Sequence, residues 1–211
     1  MTCVGSMKNK NFVFNFLSYE LRVTSWQLIV FGGLIILYFG TRIFHLGKLP
    51  IFCDEAIYIR WSQVMRSEPS LRFMPLQDGK QPFFMWLTIP FLKIFNNPLT
   101  AGRMVSVFAG FFTLLGVIAL PVILSLSKIK KLKNLKICFI SGLVYILAPF
   151  SLFFDRMALV DSLLSAFGIW ALNLSLLLAE FKRLDLAMIL GFILGGALLT
   201  KSPGLFFVGL S

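Results

Sequence analysis

The feature that most limits the fold is an apolar run at residues 104–126. It carries no charge over the roughly 20 residues that a helix needs to cross a bilayer core. Similar runs occupy 23–44, 137–154, 157–179 and 186–200, and another begins at 205. Backbone groups in lipid must be satisfied within their own segment, so these runs are read as helices. A barrel would need alternating strands, and the sequence has none of that pattern. Composition agrees: 58% of residues are hydrophobic, 24 are Phe, and only 14% are charged. The expected fold class is an all-α polytopic membrane protein.

Charge placement orients the spans. Lys128, Lys130, Lys131, Lys133 and Lys136 follow the 104–126 run, and a dense basic loop belongs on the cytoplasmic side. Residues 1–22 are polar and mildly basic and read as a cytoplasmic tail. The 23–44 run lacks a small-residue cleavage site and is too long for a signal peptide, so it reads as a retained first span. The outer loop is then 45–103. Inside it, residues 81–92 are apolar but short and hold two prolines, which suits an interfacial helix rather than a crossing. The third span brings Asp155 and Arg156 to the outer face. The fourth opens with Asp161, and the fifth rises from a short cytoplasmic turn at 181–185 to Lys201. The final run stops without a polar flank, so the polypeptide reads as truncated.

The net charge of +11 is explained by cytoplasmic loops and by contact with membrane lipids or phosphates. Nucleic acid is not expected as a partner, because it requires a basic folded surface. Cys3, Cys53 and Cys138 are too few and scattered for a metal box or a disulfide framework.

Under this topology six of the nine acids gather at the outer face: Asp54, Glu55, Glu68, Asp78, Asp155 and Asp161. Lys80, Arg156 and Lys201 join them. Charges beside a membrane are costly unless they pair or serve a ligand. Structural readings stand beside the functional ones. Acids suit the first turn of a helix, Lys80 can snorkel, and Arg156 can pair with Asp155 at a helix end. Trp86 and Phe83 either stack on a sugar or prenyl chain or sit as interface aromatics. His45 reads as interfacial. Asn173-Leu174-Ser175 matches a glycosylation pattern but lies in a span, where it would be inert. Counted from the turn near Lys182, Asp161 and Lys201 differ in height by only roughly 3 Å, so a buried pair, or a lipid phosphate held between the two, is expected.

Four motifs in order resemble a known family. They are Asp54-Glu55 after the first span, Asp78-Gly79-Lys80-Gln81-Pro82-Phe83-Phe84-Met85-Trp86 before the second, Arg156-Met157-Ala158-Leu159-Val160-Asp161 opening the fourth, and Leu199-Thr200-Lys201-Ser202-Pro203 after the fifth. Together they resemble the GT-C glycosyltransferases of the protein O-mannosyltransferase and aminoarabinose-transferase type. The resemblance covers residues 26–205. Ser202 stands where the family usually has glycine, and Cys53 precedes the acids. The resemblance implies the N-terminal part of a GT-C-like helix bundle in the cell membrane. Its implied activity is transfer of a sugar from a polyprenyl-phosphate donor to a protein or lipid acceptor at the extracytoplasmic face.

The residue types suit that chemistry. An acceptor hydroxyl or amine needs a base, and Asp54 is the candidate. The leaving lipid phosphate is already a stable anion, so it needs cations rather than an acid: Lys80, Arg156 and Lys201. Glu55 orients Asp54 or binds the acceptor, and Asp161 and Trp86 complete the substrate contacts. One base and a cationic clamp suffice for an inverting displacement. No cofactor is required. A divalent metal between Asp54 and Asp161 stays open, since oxygen ligands leave no spacing signature. The competing readings are a transporter or lipid flippase with Asp161 as an ion or proton site, and an inactive glycosyltransferase fragment or scaffold. Against transport, the charges gather at one face and no broken-helix pair is visible.

Overall fold

The computed structural model describes residues 25–126 and 135–211. Among these residues every regular element is helical, with no strand. The helices are α1 (Ser25–Ile43), α2 (Cys53–Ser67), α3 (Phe83–Ile94), α4 (Pro98–Leu126), α5 (Leu135–Leu147), α6 (Pro149–Phe154), α7 (Val160–Phe181), α8 (Leu184–Thr200) and α9 (Leu205–Leu210). The expected tail at 1–22 and most of the lysine-rich loop lie outside the described residues.

The chain divides into two compact units, residues 1–36 and 37–211. In the first, the described part is helical and apolar, and Ile29 and Ile36 point outward. The second holds all the candidate residues. Within it α4 and α7 share the largest interface, α8 packs along α7, and α2 and α3 pack on each other and on α4.

Two helices have the length and composition to cross a membrane, Pro98–Ser125 and Val160–Phe181. α3, α5 and α8 are apolar but shorter. α4 begins several residues before the expected start at 104. Asn97 explains why: its Oδ1 accepts the Leu99 N–H at 2.9 Å, and Pro98 occupies the first helical position, where no N–H is needed. The expected third span, 137–154, is not one helix. It breaks at Ala148, because Pro149 cannot continue the α5 ladder and instead starts α6. The loop at 45–103 is largely helical, and the short apolar stretch within it becomes the 12-residue α3.

The core under the candidate site consists of Tyr58, Ile59 and Met65 from α2, Phe84 and Met85 from α3, Val105 and Ala109 from α4, and Met157, Ala158, Leu159, Val160 and Leu163. Close approach is built into α4. A Cβ on Gly102 would lie 2.9 Å from the Ala158 Cβ, and one on Gly110 would lie 2.3 Å from the Asp155 Cγ. Neither position leaves room for a larger residue.

Candidate functional site

α2 starts with the half of a capping box that a phenylalanine N-cap permits: Glu55 Oε2 accepts the Phe52 N–H at 3.3 Å. Glu55 also forms a two-pronged pair with Arg103 of α4, at 2.7 and 2.8 Å, and accepts the Ala158 N–H at 2.8 Å. Arg103 reaches the carbonyls of Leu46, Leu49 and Pro50 as well. Both side chains are wholly buried. The pair therefore stitches four segments together: the 46–50 connection, α2, α4 and the lead-in to α7. Of the two tasks expected of Glu55, this geometry suits orienting Asp54 and not binding the acceptor. It faces no open space in which to meet an acceptor, and it holds Asp54 in register with α7.

Asp54 points the other way. Its carboxylate is 45% exposed and accepts a hydrogen bond from the Lys80 Nζ at 2.9 Å. Lys80 arrives from a turn at Met74–Asp78, which Gly79 ends with a left-handed φ of 69° that suits glycine. The Lys80 N–H closes the turn on the Pro75 carbonyl at 3.0 Å. The hydrogen bond to Asp54 is the main reason that the Lys80 ammonium is held above its ordinary pKa. Its Nζ also lies 4.8 Å from the centre of the Tyr58 ring and 5.9 Å from that of Trp61. Tyr58 and Trp61 follow Asp54 by one and two helical turns, so all three share one face of α2.

Asp161 and Lys201 do pair, with 2.7 Å between Nζ and Oδ1, but both side chains are partly exposed rather than buried as expected. Asp161 lies in the first turn of α7, and Lys201 follows the last turn of α8, so the two helices deliver them to the same end. Burial raises the Tyr58 hydroxyl above its ordinary pKa, while the fields of Lys80 and, more weakly, Lys201 pull it back. Tyr58 thus lies beside the Lys80 ammonium of the Asp54–Lys80 pair.

The other candidates are placed elsewhere. Arg156 does not pair with Asp155; its Nη2 donates to the carbonyls of Phe44 and His45, at 3.0 and 3.3 Å. Asp155 is buried, accepting from Ser162 at 2.9 Å, Tyr145 at 3.1 Å and Tyr38 at 3.3 Å, with Arg42 Nε at 3.5 Å. Burial pushes its carboxyl up, and these partners pull it back. Trp86 donates its Nε1 to the Arg72 carbonyl at 2.8 Å and meets the Phe73 ring edge-on, so it braces the loop. His45 is exposed beside Phe44. Asn173 is fully buried and donates to the Gly116 carbonyl at 2.9 Å, out of reach of any modifying enzyme. Among the described residues no three His, Cys, Asp or Glu side chains gather as a metal site. Asp54 and Asp161 each hold a lysine instead.

Sequence reasoning missed Arg103, Tyr58 and Trp61. An arginine at the edge of an apolar run needs a carboxylate partner, which was the available signal for Arg103. For the aromatics it was their helical spacing from Asp54. Beside this region, Leu87, Phe91, Phe108, Phe112, Phe167 and Trp170 line most of an apolar cavity of about 430 Å³. Three further wall residues, Val105, Ala109 and Leu163, also belong to the core cluster that holds Tyr58. The chain was compared with protein-family models, curated proteins and solved structures, and none of the three gave a match.

Proposed function

We propose that this chain is the catalytic part of a multi-pass membrane glycosyltransferase with a GT-C-like bundle. It would move a sugar from a polyprenyl-phosphate donor to a protein or lipid acceptor at the extracytoplasmic face. The observation that carries this reading is the presence of two partly exposed acid–lysine pairs, Asp54–Lys80 and Asp161–Lys201, in the unit that also holds a wholly apolar cavity. Cations that solvent can reach suit a phosphate, and an apolar cavity suits the first isoprene units of its lipid.

In this reading Asp54 takes the proton from the acceptor hydroxyl or amine. The acceptor atom forms a bond to the anomeric carbon while the bond from that carbon to the phosphate oxygen breaks. The electron pair leaves on the phosphate, which Lys80 and Lys201 stabilise, and Asp54 returns its proton to water. A single displacement of this kind inverts the anomeric centre. The test is turnover of a labelled polyprenyl-phosphate sugar by the purified chain in detergent. Release of free lipid phosphate with label on an acceptor supports the reading. Bound donor that is never consumed would favour a carrier. External thiol labelling of a cysteine placed at Asp78 tests the orientation, since a cytoplasmic loop would stay unlabelled.

A further inference from the structure

Both lysines are paired with acids. Lys80 is bonded to Asp54 and Lys201 to Asp161, so two positive and two negative charges cancel. A phosphate meets no net attraction from such an arrangement until an ammonium turns towards it. We propose that the Asp54–Lys80 pair is a latch opened by the donor: the incoming phosphate draws Lys80 away from Asp54, and the freed carboxylate becomes the base. This rests on the phosphate-donor reading above and adds an order of events to it. Donor binding arms the base, and only then can the acceptor lose its proton.

Three features of the site fit a latch rather than a fixed ion pair. First, the pair is partly exposed, with side-chain accessibilities of 33% for Lys80 and 45% for Asp54, so separating it does not strand a buried charge. Second, the rings of Tyr58 and Trp61 lie against the ammonium, and a short swing can keep these cation–π contacts while the carboxylate contact is lost. Third, the neighbouring acid cannot take over. Glu55 is buried and held on both oxygens by Arg103, so Lys80 has only Asp54 to leave. While the pair is closed the Lys80 ammonium occupies the Asp54 oxygen that an acceptor's proton would have to reach, and the swing of Lys80 to the donor uncovers it.

The latch makes a prediction that a simple binding site does not. Removing the acid should improve phosphate binding, because Lys80 no longer has to be won from it. The experiment is equilibrium binding of geranylgeranyl phosphate to the full chain in detergent, with inorganic phosphate as a parallel probe. It compares the parent, Asp54→Asn, Lys80→Met and the double variant. Asp54→Ser serves as a second acid variant, and unfolding midpoints confirm that each is folded. Asp54→Asn should tighten binding by about twofold to fivefold, the worth of an exposed ion pair. In the Lys80→Met background the same change should give no gain, which is the mark of coupling between the two residues. An equal gain in both backgrounds would mean plain repulsion between Asp54 and phosphate and would overturn the latch. So would no gain at all. Either result leaves the donor reading standing, because the parent still binds. Failure of the parent to bind lipid phosphate overturns both. The pattern seen with both probes assigns the latch to the phosphate group itself; seen with the lipid alone, it makes the isoprene chain part of the trigger.

Discussion

Asp54 and Glu55 are adjacent carboxylates on the first turn of one helix, yet their surroundings differ completely. Glu55 is sealed from solvent and receives a guanidinium and two backbone N–H groups. Asp54 keeps nearly half its surface exposed and holds a single lysine. A buried pair is costly to assemble and costly to break, so it suits a permanent joint. An exposed pair contributes little and exchanges readily, so it suits a residue that must change partners. One turn of helix therefore supplies both the anchor and the working group, and the anchor keeps the working group in place.

The largest expected effect lies on the buried side. Glu55→Ala or Arg103→Met leaves the other charge unpaired and should lower unfolding stability by about 3–5 kcal/mol. Replacing both with methionine should recover much of this. Denaturant unfolding in detergent is the measurement, and single variants as stable as the parent would erase the contrast drawn here.

Asp54→Asn tests the exposed side. It should cut transfer by about 10²-fold or more, the usual loss for a general base, while the unfolding midpoint stays at the parent's value. Loss of transfer in a well-folded Glu55→Gln, with Asp54→Asn still active, would move the base one residue along.

A smaller effect is expected at the cation. Lys80→Ala should raise the donor KM about tenfold, as for a lost charge-assisted hydrogen bond, with kcat changed less. An unchanged donor KM would separate Lys80 from phosphate.

The smallest effect concerns the second exposed pair. Lys201→Met or Asp161→Asn should alter folding stability by less than about 1 kcal/mol. A larger loss would show that this pair is an anchor like Glu55–Arg103 and belongs on the other side of the comparison.

Much of the helical layout was legible beforehand, because it depends on local properties. Apolar runs, prolines and a capping asparagine act through their own few residues, and α7 and α8 fall close to the expected 157–179 and 186–200. The break at Pro149 was equally local and could have been read from proline's missing N–H. The Asp161–Lys201 pair was accessible for a related reason: a short turn joins two regular helices, so counting residues from that turn gives the height of each charge.

What the sequence by itself determined, then, is a helical, strongly apolar chain with its acids and lysines concentrated near a few helix ends. Apart from Asp161 and Lys201, it could not say which acid meets which cation. Asp54 and Glu55 have the same neighbours in sequence and nearly the same chemistry, so no local rule separates them. Their fates depend on Arg103 and Ala158, which are distant in the chain and come near only when α4 packs against α2 and α7. The same packing buries Asp155 among Tyr38, Tyr145 and Ser162 and turns Arg156 to the backbone at Phe44 and His45. Charge pairing acts over a few ångströms in space, whatever the separation along the chain, and for that reason only the tertiary structure decided it.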